Sequence, residues 1–277
     1  MKITELINLG SSYLKNNKIL SSRIDSEIIL SHVMGISRER LLIGENYINK
    51  EEADKFNSLI LRRSRNEPIA YITKNKEFRS TNFFVNKNSL IPRPETELII
   101  DPLVEFYKNK NLYFLDVGIG TGCISFSILN EIKNSRGLGI DISNKTLNNA
   151  KKNLKKYKNR VKILKKSIED LNNTKFDLII SNPPYVVKRD INRLSDDIKK
   201  FEPRIALDGG NDGLDVIKKV IYKSKDILKY NGILALEIGN GQYPLVAKIL
   251  KVNKFKQKKI IVDYKDNIRC IFSTLLK

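Results

Sequence analysis

The chain has 277 residues and a mass of 31.9 kDa, with 51 Lys and Arg against 31 Asp and Glu, a formal charge of +20 and a pI near 9.7. At ~100–200 residues per domain that length makes one large or two smaller domains, and a 41% hydrophobic content supplies a core. No stretch approaches the ~20 apolar residues that cross a bilayer, and the opening MKITELINLGSSYLKNNK lacks the apolar centre of a signal peptide, so a cytoplasmic location is expected. Cys123 and Cys270 lie far apart with no CxxC spacing, which excludes a disulfide framework and a thiolate zinc site. A single histidine, His32, argues against histidine-based metal or triad chemistry. The charge itself is a weak guide: 37 Lys, 29 Asn and 38 Ile are all residues with A/T-rich codons, and compositional drift raises pI without selection for a polyanion.

Residues up to about 75 read as helices. Ile3, Leu6, Ile7 and Leu14 share a face, and Asp25–Val33 and Glu51–Arg63 repeat apolar residues at three and four spacing, with Gly35 as a stop. Two extended pieces follow, Phe78–Val85 and Ser89–Ile91, joined by the turn-prone Asn86–Asn88, which predicts a hairpin linking two domains. Pro92 and Pro94 precede one predicted amphipathic helix from about Glu95 to Tyr107. Beyond Leu112, strand-like runs at Tyr113–Val117, Gly137–Ile142, Val161–Leu164, Phe176–Ser181, Gly232–Ile238, Lys259–Asp263 and Cys270–Leu275 alternate with helical patterns at Cys123–Lys133, Lys145–Tyr157, Leu214–Ile227 and Gln242–Leu250. Such alternation predicts an α/β fold with a mostly parallel sheet. The expected division is a helical domain over 1–76, a hairpin linker over 77–94 and an α/β domain over 95–277.

The first chemical motif is Phe114-Leu115-Asp116-Val117-Gly118-Ile119-Gly120-Thr121-Gly122, a buried strand running into a glycine-rich turn before a helix. This lets a ligand approach the backbone closely at a helix N-terminus. Asp141 follows at the end of the next strand, placed to accept hydrogen bonds from both ribose hydroxyls of a nucleoside. The spacing is G-x-G-x-G and lacks the G-x-G-x-x-G that seats a dinucleotide pyrophosphate. An acid within the strand, Asp116, also suits a ligand with a cationic end, so S-adenosylmethionine is favoured over NAD.

The second motif, Ser181-Asn182-Pro183-Pro184-Tyr185, stands at the C-terminal end of a predicted strand, where open α/β sheets bind ligands. Consecutive prolines fix the chain and remove two backbone donors. The Asn182 side-chain oxygen and the Pro183 carbonyl are each able to accept one hydrogen from an NH2 group, and Tyr185 to stack on that group's flat face. An amide nitrogen held this way is aimed at the methyl, and the positive charge that moves onto it is stabilised without a general base.

These motifs resemble the class I S-adenosylmethionine-dependent methyltransferases acting on planar nitrogens. Further runs resemble one branch, the HemK/PrmC family: Pro68-Ile69-Ala70-Tyr71-Ile72, Leu90-Ile91-Pro92-Arg93-Pro94-Glu95-Thr96-Glu97, Glu202-Pro203-Arg204, Ala206-Leu207-Asp208-Gly209-Gly210, Leu236-Glu237-Ile238-Gly239 and Gln242, with Asp25, Glu27 and Gly35-Ile36-Ser37-Arg38 upstream. The resemblance implies a Rossmann-like methyltransferase sheet behind a small helical domain that docks class-1 peptide release factors. It also implies methylation of the glutamine amide in their Gly-Gly-Gln loop, with no nucleic-acid substrate and no membrane. Gly118, Ile119, Gly120, Thr121 and Gly122 would then line the cofactor's methionine end, Asp141 would hold the ribose, Ile168 would stand by the adenine, and Asn182, Pro183, Pro184 and Tyr185 would bind the target amide. Two positions depart from the family pattern: Lys74 replaces the usual Gly after Tyr-Ile-Thr, and Ser167-Ile168 replaces an acid and an aromatic.

Two rival readings are a DNA adenine methyltransferase, which uses the same Asn-Pro-Pro-Tyr logic but needs base flipping and a target-recognition domain, and a basic binding protein that has lost its cofactor. Glu95 and Glu97 read equally as helix N-terminal acids or as neighbours of the cofactor with Arg93. His32 reads as a structural or surface residue and Cys123 as a small packing residue. The ten basic residues without an acid from Lys145 to Lys166 read as a solvated helix face.

Overall fold

The computed structural model describes residues 2–43 and 47–276 and divides into two compact units, one comprising residues up to Asn75 together with Ser195–Phe201, the other Lys76–Leu194 and the chain from Glu202 on. In the first unit α1 (Ile3–Asn16) buries Ile3, Leu6, Ile7, Gly10 and Leu14 on one stripe. Against it stand α2 (Ser22–Met34), α3 (Arg38–Ile43), α4 (Lys50–Ser64), whose start is capped by the Asn49 side chain, and α5 (Ile69–Thr73). Gly10 lets the α4 ring of Phe56 come so close that a Cβ there would lie 2.6 Å from it. Two acids are buried in α2, and both are paired. Asp25 accepts from the Ser21 hydroxyl and the Arg63 guanidinium at 2.7 Å, and Glu27 from Arg23 and Arg38 at 2.7 and 2.8 Å. Burial pulls the Glu27 carboxyl upward, but the two guanidinium groups outweigh it and hold it below the usual carboxylate range.

Helix α5 ends at Lys74, whose φ of 56° and ψ of 27° are left-handed. The turn that glycine normally makes is kept, with lysine bearing the steric cost. The hairpin lies earlier than its sequence suggests: β1 (Asn75–Phe78) and β2 (Thr81–Phe84) are joined by Arg79-Ser80, both at positive φ of 46° and 55°, as a two-residue primed turn requires. Ser89–Ile91 is not a strand. The Asn86 side chain accepts from the Asn88 amide and exchanges hydrogen bonds with Asn149, turning the chain away from any ladder. The single helix expected over Glu95–Tyr107 is two, α6 (Pro94–Glu97) and α7 (Ile100–Tyr107). Pro102 has no N–H to bond to Leu98, so a continuous helix would break there.

A seven-stranded sheet fills the second unit: β3 (Leu112–Val117), β4 (Ser135–Asp141), β5 (Val161–Lys165), β6 (Phe176–Ser181), β7 (Leu228–Glu237), β8 (Phe255–Val262) and β9 (Ile268–Leu275), in spatial order β5-β4-β3-β6-β7-β9-β8. The first five are parallel, and β9 runs antiparallel to both β7 and β8. Helices α8 (Cys123–Glu131) and α9 (Asn144–Asn153) cover one face, with α11 (Asp215–Ile227) and α12 (Tyr243–Val252) on the other; α10 (Asp196–Phe201) belongs to the helical unit. Strand alternation sorts the layers, with Phe114, Leu178 and Ile180 facing α8 while Leu115 and Ile179 face α11. Between β3 and β6 the strand order reverses, opening a crevice at their carboxyl ends.

Replacing Lys74 with Gly should remove the left-handed penalty of about 1–2 kcal/mol, less a partial offset from glycine's greater unfolded-state entropy. A net gain near 0.5–1 kcal/mol is expected as a higher urea midpoint with an unchanged slope. An unchanged midpoint would show that the turn carries no strain.

Candidate active site

Val117 and Ser181 are paired partners at the carboxyl ends of β3 and β6, and the Ser181 hydroxyl donates to the Val117 carbonyl at 2.7 Å. The glycine loop and the Asn-Pro-Pro-Tyr turn therefore leave the sheet side by side. They open onto a cavity of about 540 Å³ lined by Gly118–Thr121, Asp141, Ile168, Asn182 and Pro184, among others. Gly118 and Gly120 have φ of 72° and 58°, and a Cβ on either would project into open space, with no protein atom nearer than 3.7 Å. The missing side chains leave room for a ligand against the loop backbone.

Asp141 ends β4 on the same cavity. One carboxylate oxygen accepts from the Gly120 amide at 3.3 Å and the other from the Ser143 amide at 2.9 Å, which holds the acid against the loop and leaves a lone pair on each oxygen. Burial raises its carboxyl above the usual range. Ile168 is 4% exposed and begins a short turn capped by Ser167, whose own amide donates to Asp170. Together with Ile119 and Ile142 it gives the cavity an apolar wall.

Three site residues stand elsewhere. Gly122 faces α9, where a Cβ would lie 2.8 Å from Leu154, so its smallness serves helix packing. Pro183 is buried and sits between the lining residues Asn182 and Pro184. Tyr185 is not part of the lining: its ring packs into the α11 and α12 layer, and its hydroxyl donates to Glu237 at 3.4 Å. Asp116, read as a partner for a cationic ligand, is 1% exposed and accepts from the Ser125 hydroxyl at 2.6 Å, so it ties β3 to α8. Burial pushes its carboxyl up to about 6. Cys123 is buried, with its thiol pushed up to about 12 by burial, and His32 is exposed on α2, its imidazole lowered first by partial desolvation and then by Lys55 and Lys74.

Long-range hydrogen bonds explain several of the remaining motif runs. Glu202 accepts from the Ile91 amide and pairs with Arg93, bolting the Ile-Pro-Arg-Pro segment to the cavity's rim. Gln242 accepts from the Gly239 amide at 2.8 Å and donates to the carbonyls of Tyr185 and Gly213 at 3.0 and 3.1 Å, so one side chain staples three loops. Glu97 accepts from the Arg79 amide, anchoring the hairpin turn. Thr96 and Glu237, which sequence alone did not single out, meet at Asn182. The Asn182 NH2 donates to the Thr96 hydroxyl oxygen at 3.0 Å, and the Thr96 hydroxyl donates to Glu237 at 2.6 Å. Burial pushes the Glu237 carboxyl up to about 7. At the amino ends of β3, β4 and β5 a second depression of about 950 Å³ is lined by Arg136, Lys151, Lys155, Lys158, Arg160 and Lys162. Five basic residues of the lysine-rich segment thus lie at the opposite end of the sheet, while its last, Lys166, lines the cavity beside Asp141.

A mostly parallel sheet with this strand order, an open glycine loop, and an acid ending the second strand define a class I S-adenosylmethionine-dependent methyltransferase. The groups present fit that cofactor: lone pairs on Asp141 for hydroxyls, an isoleucine wall for a base, and bare backbone at the loop. Solved structures share the fold, among them the hMettl16 catalytic domain bound to the MAT2A 3′UTR hairpin 6 (TM-score 0.58, 15% identity, 83% of each chain) and a methyltransferase from Pyrococcus furiosus (TM-score 0.54, 16% identity, 79% of this chain and 98% of that one). Residues 5–73 match the PrmC N-terminal domain and 95–198 the methyltransferase small domain. Release factor glutamine methyltransferases are similar along nearly the whole chain: that of Clostridium botulinum is 37% identical over 98% of both chains, and that of Clostridium acetobutylicum 36% identical over 92% of both. The chain belongs to the release factor glutamine methyltransferase family.

Replacing Asp141 with Ala should weaken S-adenosylmethionine binding by ~10–100-fold, the worth of hydrogen bonds to a charged group, as read by calorimetry. An unchanged dissociation constant would remove Asp141 from the cofactor site. Asp116 contributes a separate pH effect. Its folded pKa lies above the unfolded value, so the stability contribution of its protonated form is fully present below about pH 4 and is lost as pH rises through about 6. Asp116→Asn should therefore flatten the decline in unfolding free energy between pH 4 and 7.5, by at most about 3 kcal/mol; an equally steep decline in the variant would refute this.

Proposed function

We propose that this chain transfers a methyl group from S-adenosylmethionine to the side-chain amide nitrogen of the glutamine in the Gly-Gly-Gln motif of class-1 peptide release factors, as a cytoplasmic enzyme of translation termination. Relatives that the chain matches along most of its length are named release factor glutamine methyltransferases. The observation that carries the reading is the hydrogen bonding of Asn182. Its NH2 is spent on Thr96, which leaves the amide oxygen as an acceptor where the glycine loop and Asp141 line the same cavity.

The bound cofactor supplies a methyl made electrophilic by a sulfonium. The protein's task is to present a poor nucleophile. Asn182 Oδ1 and the Pro183 carbonyl accept the two amide hydrogens and hold the nitrogen lone pair on the line of attack. As the N–C bond forms and the C–S bond breaks, positive charge reaches the amide nitrogen, and the same two oxygens stabilise it. The surplus proton then leaves the strongly acidic N-methylated amide for solvent, so no general base is required. The helical unit, matched by the PrmC N-terminal domain, is the docking domain in this reading, and no nucleic-acid substrate is involved.

Asn182→Ala should lower the rate of methyl transfer ~100–1,000-fold while leaving cofactor affinity within ~3-fold, as expected when one preorganised electrostatic contact is removed. The assay supplies labelled S-adenosylmethionine with either purified release factor or duplex DNA. Label in the release-factor glutamine that disappears with Asn182→Ala supports the reading, and label in DNA alone overturns it.

A further inference from the structure

We propose that Thr96 and Glu237 are positioning residues of this reaction, which fix the end of the Asn182 side-chain amide that faces the substrate. The proposal rests on the amide-binding role of Asn182 given above. An asparagine carboxamide presents either an oxygen or an NH2, and the two differ by a half-turn of nearly the same shape. Only the oxygen can accept a substrate N–H; the flipped form sets donor against donor.

The structure biases that choice from behind. Glu237 ends β7 at 1% exposure, and among the described residues it makes no ion pair within 4 Å. Its carboxyl is pushed up to about 7 by burial, and in the ionised form that prevails above that pH it only accepts hydrogen bonds. It takes the Thr96 hydroxyl on Oε2 at 2.6 Å and the Tyr185 hydroxyl on Oε1 at 3.4 Å. Thr96, 2% exposed, has a single proton, and that proton is committed to Glu237. Toward Asn182 it offers only a lone pair, which the Asn182 NH2 takes at 3.0 Å. Each donor points toward the carboxylate, so the Asn182 oxygen is left for the cavity. A carboxylate buried with no cation in salt-bridge contact costs several kcal/mol, Arg269 acting on it only from a distance, and an apolar residue would fill the space more cheaply. Its directional effect on Asn182 gives it a function that packing does not.

The same residues explain why the Glu95–Glu97 segment and the end of β7 both belong to the site although neither carries the motif that binds the amide. Helix α6 delivers a hydroxyl and β7 a charge, and they meet behind a side chain that extends from β6.

The test uses the full chain, labelled S-adenosylmethionine and purified release factor, with kcat, KM and cofactor affinity measured separately. Thr96→Val removes the hydroxyl at constant shape and should lower kcat ~10–100-fold, the usual effect of losing an orienting partner, with KM and cofactor affinity within ~3-fold. Thr96→Ser restores the hydroxyl and should recover most of the lost rate. Glu237→Gln, whose NH2 can donate to Thr96 and reverse the chain, should show the same kcat loss and provides the same reading if the valine variant does not fold. An equally fast Thr96→Val, or a Thr96→Ser as slow as Thr96→Val, overturns the positioning role while leaving the enzyme's function intact. Absence of label with the wild-type chain overturns the functional reading itself.

Discussion

The pairing of β3 with β6 is the constraint on which the site depends. These two strands are neighbours in the sheet although β4 and β5 lie between them in sequence, and their register sets Val117 beside Ser181. Two loops from distant parts of the chain thereby start within one strand spacing of each other. A slip of one residue would reverse every side chain on β6, exchanging Ile179 with Ile180 between the two layers and turning Asn182 away from the cavity. Near-continuous apolar burial on both faces makes such a slip expensive, so the chemistry inherits its precision from the core.

Around that pairing the loops are held by single side chains that reach far along the chain. Gln242 joins the ends of three loops, Glu202 secures the segment before α6, and Asp141 receives the glycine loop's own amide. Side chain to backbone bonds of this kind fix the orientation of the loops around the cavity.

Much of this was legible from sequence because strong local signals and the final structure agree. The glycine loop, the acid nineteen residues after it and the alternating strands each announce themselves within a short window. What sequence missed depended on distant partners. Asp116 looked like a ligand contact because nothing nearby revealed that Ser125 would claim its carboxylate. Arg79-Ser80 carries none of the glycine or asparagine that usually marks a primed turn, so the hairpin was placed too late. Tyr185 was given a stacking role, but its ring packs into the α11 and α12 layer and its hydroxyl bonds Glu237. Thr96 and Glu237 lie 141 residues apart, and no periodicity links them.

The left-handed turn at Lys74 belongs to a wider pattern. Among the described residues ten non-glycine positions have positive φ, including Lys18, Lys74, Lys254 and four asparagines, and glycine holds such angles at the helix end Gly35, in the cavity loop at 118, 120 and 122 and in the stapled loops at 210, 213 and 241. At Gly122, Gly210 and Gly213 a Cβ would lie 2.8, 1.8 and 2.6 Å from a neighbour, so nothing but hydrogen fits on the α-carbon there. Where a turn merely has to reverse direction on the surface, lysine or asparagine does so at a modest energetic loss.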